Sequence, residues 1–210
     1  METSVLMSAA ELNQLKKAAP MEGVLPVFHE RWSPRSFANR EVSTELLKKV
    51  FEAARWAASS FNEQPWRFLV GQRPDETYKK IFEALNEFNR KWAWRAPVLI
   101  LGTTKTRFSR DGRDNRVALF DLGAASSYLT LEAAALGLAT HQMEGLDTEK
   151  VRVSLGIPPD YIMGSTIALG YLGEPAALED EKLIQREIAP RTRKALGEIA
   201  LGAWDQPAEI

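Results

Sequence analysis

At 210 residues, with 45% hydrophobic and 26% charged side chains, the chain is long enough for one substantial core and short for two. Its 27 basic and 28 acidic residues leave a formal charge of −1, which argues against polyanion binding by bulk charge, so no nucleic-acid partner is expected. The absence of cysteine rules out disulfides, thiolate metal sites, iron–sulfur clusters and a cysteine nucleophile, and the two histidines, His29 and His141, are too few for a three-histidine metal site.

Met1-Glu2-Thr3-Ser4 lacks a basic region followed by an apolar core, and no apolar run reaches the length of a membrane span; a cytoplasmic protein without membrane partners is the default expectation. Ser8 to Ala19 reads as a short helix with Ser8 as N-cap and Pro20 at its end. Val24 to His29 is an apolar turn leading into Arg31-Trp32-Ser33-Pro34-Arg35. Pro34 biases Ser33 toward an extended conformation, so Arg31, Ser33 and Arg35 point the same way and can converge on one anion. The alternative is a solvated turn whose arginines pair with Glu30 or Glu41.

Ser43 caps an amphipathic helix whose buried face runs through Leu46, Leu47, Val50, Phe51, Ala54 and Ala57, and which stops at Ser59-Ser60. The loop Phe61-Asn62-Glu63-Gln64-Pro65 delivers the chain to a strand over Trp66 to Val70. Asp75 starts a helix carrying Ile81, Phe82, Leu85 and Phe88 at helical spacing, and Pro97 separates Trp92-Ala93-Trp94 from a strand over Val98 to Gly102. Lys105 to Arg116 is an exposed polar loop. Val117 to Leu136 is apolar on nearly every helical face, with a waist of small residues from Gly123 to Ser127, and reads as a central helix. A short strand (Leu138 to Met143), a helix (Thr148 to Leu155), a buried strand (Ser165 to Leu172) and a helix (Leu178 to Ile188) follow, before Pro190-Arg191-Thr192-Arg193-Lys194 and a tail whose Leu201 and Trp204 need a surface to bury against. Helices outnumber short strands, and neither GxGxxG nor GxxxxGK[ST] occurs; the fold class is α+β, a sheet wrapped by helices.

Four stretches, in order, carry a family likeness: Arg31-Trp32-Ser33-Pro34-Arg35, Ser59-Ser60-Phe61-Asn62-Glu63-Gln64-Pro65-Trp66, Met143-Glu144-Gly145-Leu146-Asp147 and Pro190-Arg191-Thr192-Arg193-Lys194. Together they resemble the FMN-dependent nitroreductase family from about Pro26 to Ile199. The resemblance implies a single nitroreductase-like domain over residues 1–210, a sandwich built on a mostly antiparallel sheet, and an entwined homodimer with two FMN sites at the interface. Residues 1–25 would form an N-terminal helical extension and 176–210 would pack on the partner subunit. By the same resemblance Arg31, Trp32, Ser33, Arg35 and Met143 hold the flavin, Arg191 and Arg193 complete the phosphate site, Asn62 and Gln64 meet the ring edge, and the backbone of Glu144 and Gly145 approaches flavin N5. It implies no dedicated catalytic side chain and no metal. The activity implied is ping-pong hydride transfer from NAD(P)H to nitroaromatic, quinone or other small-molecule acceptors; a reductive dehalogenase, a flavin-consuming enzyme and a non-catalytic flavin-binding module are the alternatives. Ala58 and Trp32 depart from the family pattern, and either could reshape the pocket. Glu87 to Trp94 is a candidate cover for the partner's flavin, although Trp92 and Trp94 read first as packing, and His141 reads as a strand residue with a satisfied ring.

Overall fold

Two apolar runs, Val98–Lys105 (β2) and Tyr161–Gly170 (β4), form the middle of a four-stranded sheet. Trp66–Gln72 (β1) flanks β2 and Ala139–Met143 (β3) flanks β4, giving the order β1-β2-β4-β3 with every pair antiparallel. The computed structural model describes residues 7–210, and the Met1-Glu2-Thr3-Ser4 start lies outside the described residues.

Successive side chains of β2 point to opposite faces, and each face has its own core. Val98, Ile100, Ile167 and Leu169 pack with Thr44–Arg55 (α3) and Ala118–Ala135 (α6) through Val50, Ala54, Leu122, Ala125 and Leu129. Leu99, Leu101 and Ala168 pack on the other face with Glu76–Ala84 (α4), Glu87–Ala93 (α5), Thr148–Leu155 (α7) and Glu181–Ile188 (α8) through Ile81, Trp92, Val151 and Leu183. The result is a helix–sheet–helix sandwich. Two further helices, Ala9–Lys16 (α1) and Pro26–Glu30 (α2), precede these, and Ser8 caps α1 in a reciprocal capping box with Glu11. Among the described residues no helix is long and apolar enough to cross a membrane.

Three sequence readings need correction. The helix read through Phe88 breaks at Leu85, because Asn86 caps a new helix by accepting from the Asn89 N–H, and Phe88 emerges partly exposed. β4 begins at Tyr161 rather than Ser165; its first residues pair with Thr103 to Lys105 beyond a register shift in β2. The last long helix starts at Glu181, where Asp180 caps it, and a 3-10 turn over Pro175–Leu178 takes up the preceding residues. The tail forms a small hairpin, Leu201–Ala203 (β5) with Gln206–Pro207 (β6), whose tip leaves Trp204 87% exposed.

Candidate functional site

The arginine motif runs beside β3, one of the two sheet edges, held by contacts from distant elements. The Pro34 carbonyl bonds to His141 Nδ1 of β3 at 3.0 Å. Glu187 of α8, only 1% exposed, accepts the backbone N–H groups of Arg35 (2.8 and 3.0 Å) and Ser36 (3.0 Å). Past the end of α8 the Lys16 ammonium donates to the Ala189 carbonyl, while Arg191 Nη1 donates to the carbonyls of Lys16 (2.8 Å) and His29 (2.6 Å). The two ends of the chain are thereby stitched together around the motif.

Between them lies a cavity of about 210 Å³ lined by Lys16, Arg31, Trp32, Ser33, Arg35, Arg186, Glu187, Arg191 and Arg193. Arg31, Ser33 and Arg35 do converge, and Arg191 and Arg193 join them. Burial, reinforced by neighbouring guanidinium charge, pushes the Arg31 and Arg191 pKa values down. Arg35 is lowered by burial too, with Glu187 opposing and Arg186 adding to the shift. Guanidinium groups keep their protons regardless, so the cluster is a concentrated positive field that an anion relieves. Arg35 Nε is buried without a partner, an unmet donor in that field. Planar forks with a serine hydroxyl are the donor set that suits phosphate oxygens.

His141 is pushed down to about 4, chiefly by burial and then by Arg35. Its folded pKa lies below the ordinary 6.5, so the unfolded chain binds the extra proton and stability is lost as pH falls from about 6.5 toward about 4. The loss is bounded at about 3 kcal/mol. Urea midpoints measured between pH 7 and 5 should show a steeper fall for the wild type than for His141→Gln.

Downstream of His141, β3 ends at the buried Met143 and the chain turns through Glu144 and Gly145. The Gly145 carbonyl accepts from Asn86 N–H (3.0 Å) and Asn89 Nδ2 (3.3 Å), which clamps this turn to the junction of α4 and α5. A Cβ at position 145 would lie 2.0 Å from Asn86 Nδ2, so only glycine fits without displacing the cap of α5. Gly145→Ala is expected to cost about 1–3 kcal/mol, the lost cap plus overpacking, read as a lower urea midpoint at unchanged slope.

Asn62 and Gln64 do not join this cluster. They precede β1 on the opposite sheet edge, three inter-strand spacings of about 4.8 Å from β3. Gln64 Nε2 donates to Asn62 Oδ1 at 3.1 Å, and the turn is fixed by Ser60 N–H to the buried Asp121 Oδ2 (3.2 Å) and Gln64 N–H to Ser59 Oγ (3.0 Å). Phe61, Asn62 and Gln64 all have positive φ, at 53°, 55° and 48°, so the turn is held in a conformation L-residues disfavour. Trp92 is wholly buried, stacked on Phe37 and 4.6 Å from the His141 ring, so it belongs to the core.

Sequence reasoning missed Lys16, Arg186, Glu187, Asn86 and Asn89. Glu187 carried a readable signal: it falls four and three residues after Leu183 and Ile184, on the apolar face of α8, where an acid needs a partner.

A family model for the nitroreductase family matches residues 29–91 and 74–171, more than half of the chain. The chain belongs to the nitroreductase family. An Archaeoglobus fulgidus protein with the provisional name NADH dehydrogenase/NAD(P)H nitroreductase is 32% identical over 155 residues, spanning 72% of this chain and 86% of the relative. A Thermus thermophilus NADH dehydrogenase is 28% identical over 191 residues, spanning 73% of this chain and 92% of the relative. Among solved structures, an oxidoreductase containing FMN superposes with a TM-score of 0.81 at 32% identity, covering 89% of this chain and 94% of its own. The matched fold of this nitroreductase-family chain accounts for its antiparallel sheet and central helix α6.

Proposed function

We propose that this nitroreductase-family chain is an FMN-dependent oxidoreductase that takes reducing equivalents from NADH or NADPH and passes them to small nitroaromatic, quinone or similar acceptors. The observation that carries this reading is the cavity where cations from both chain ends, Arg31 and Arg35 with Arg191 and Arg193, meet Ser33 beside one sheet edge. Those residues would hold the flavin phosphate. The Glu144-Gly145 backbone, fixed by Asn86 and Asn89, would border the reactive edge of the ring. When bound, FMN supplies the two-electron redox chemistry.

The chain's part is binding and orientation. His141 is neutral at pH 7 and tied to the Pro34 carbonyl, so it serves as a support for the motif and not as a proton donor. Donor and acceptor would occupy one slot in turn, which gives ping-pong kinetics.

A homodimer fits the surfaces left bare. On α6, Leu119, Phe120 and Tyr128 are exposed, Phe120 by 78%, and Gly123 has nothing within 4 Å of an added Cβ. A second copy laid on this face would bury them, the 176–210 segment with Trp204 would find its surface there, and Asn62 and Gln64 would reach the partner's flavin from the β1 edge. The activity is tested by mixing the FMN-loaded protein with NADH and with NADPH without oxygen. Bleaching of the flavin absorbance by either, and its return on adding a nitroaromatic or quinone, is expected; a flavin that neither bleaches would leave a binding module.

A further inference from the structure

We propose that Arg110, stacked on Phe61 beside the turn that carries Asn62 and Gln64, selects electron acceptors bearing a carboxylate; this rests on the flavin and homodimer reading above. Residues 105–116, between β2 and α6, hold five basic side chains against two acids, Asp111 and Asp114. That excess of three positive charges sits in a chain whose formal charge is −1. Such a patch draws anions in over about a Debye length, and a fixed donor group is then needed to hold one.

Arg110 is that group. Its Cζ lies 4.0 Å from the Phe61 ring centroid and 5.6 Å from that of Phe108, and the two rings meet edge to face at 5.7 Å. Stacking fixes the plane of the guanidinium, and Asp111 fixes its rotation by accepting from Nε at 3.0 Å. Among the described residues the terminal amino groups of Arg110 have no hydrogen-bond partner. The same Asp111 oxygen accepts from Arg113 Nε at 3.0 Å, so one carboxylate serves two guanidiniums and a positive charge is left over. A planar fork already held in place loses little freedom when a carboxylate docks on it.

The basic loop and the turn are one unit. Glu63 Oε1 accepts the Ser109 N–H at 2.9 Å, tying the loop to the turn, and Asp121 Oδ2 holds the start of the turn through the Ser60 N–H at 3.2 Å. Phe61 keeps its ring 69% exposed at a φ of 53°, a costly conformation for a bulky residue that is not buried in return. Phe61 directly precedes Asn62, so Arg110 stands one residue and one ring from the side chain read as meeting the flavin edge. That spacing suits an acid on the acceptor's own ring. The phosphates of a nicotinamide donor sit a ribose beyond the reacting ring, so an anion this close to the flavin edge belongs to the acceptor.

The test follows flavin reoxidation when the FMN-loaded, NADH-reduced protein is mixed without oxygen with para-nitrobenzoate or with the neutral para-nitrobenzamide. Overall, NADH, a proton and the nitro compound are consumed, one N–O bond breaks, and the nitroso compound, water and NAD+ leave. The readout is the ratio of the two second-order rate constants, whose change on substitution cancels the acceptors' intrinsic reactivity. Arg110→Gln is expected to lower that ratio about tenfold or more, by loss of a charge-assisted hydrogen bond, and Arg110→Lys to lower it less. Arg116→Gln removes the same charge from the same loop and should leave the ratio within about twofold of wild type. Calorimetric titration of the oxidised protein with benzoate, which is not turned over, should show the same ranking in Kd. Both arginines are exposed, so all three variants should fold. An unchanged ratio in Arg110→Gln, or equal falls in the two glutamine variants, would overturn the proposal, as would a loss confined to reduction by NADH, which would place Arg110 on the donor. Should NADH fail to bleach the flavin, dithionite-reduced protein still decides the acceptor question, which separates failure of this inference from failure of the activity reading. Failure of FMN itself to bind would remove both.

Discussion

Arg31→Ala combined with Arg193→Ala is expected to weaken FMN binding by roughly two to four orders of magnitude while leaving riboflavin, which lacks the phosphate, nearly unaffected. Both guanidiniums line the arginine-rich cavity, where burial first and then the charge of Arg193 push the Arg31 pKa down. A hydrogen bond to a charged group contributes about 1.5–3 kcal/mol, and two lost together give about 3–6 kcal/mol before coupling is counted. Fluorescence titration against both flavins measures the difference. Unchanged FMN affinity would take these residues out of the phosphate site. Rising salt should weaken FMN in the wild type and do so less in the double variant, since the screened charges would already be gone.

Glu187→Ala is expected to be the most damaging single substitution for folding, at about 3–5 kcal/mol. Its carboxylate is buried among Lys16, Arg35 and Arg186, and burial raises its pKa against the backbone hydrogen bonds and cations that favour ionisation. Removing it orphans the Arg35 and Ser36 N–H groups and leaves the cations without a counter-charge. Glu187→Gln retains one acceptor oxygen and should lose less. Urea denaturation of both variants, with and without added FMN, checks the ranking, and FMN should recover part of the alanine loss by supplying an anion to the same cluster.

Elements defined by local chemistry were legible in the sequence. Ser8, Ser43 and Asp75 cap the helices they were read to start, and the apolar run over 117–136 became the central helix. What local reading could not supply came from distant partners. The first residues of β4 contain Gly164 and pair with β2 beyond a register shift, and the Asn86 backbone N–H, past the end of α4, donates to the distant Gly145 carbonyl. The arginine-lined cavity was half legible: Arg31, Ser33 and Arg35 follow from alternation around Pro34, whereas Lys16, Arg186 and Glu187 enter through tertiary packing. Asn62 and Gln64 show a different limit. Motif order does not say which sheet edge a loop occupies, and within one chain they lie at the edge opposite the arginines.

The most direct test of the anion cavity as a flavin site is titration of the flavin-free wild-type protein with FMN and with riboflavin under identical conditions. FMN is expected to bind at least about a hundredfold more tightly, the yield of two or more charge-assisted bonds to its phosphate. Equal affinity for the two flavins, or no uptake of either, would contradict the assignment of the Arg31, Ser33, Arg35, Arg191 and Arg193 cavity to the phosphate.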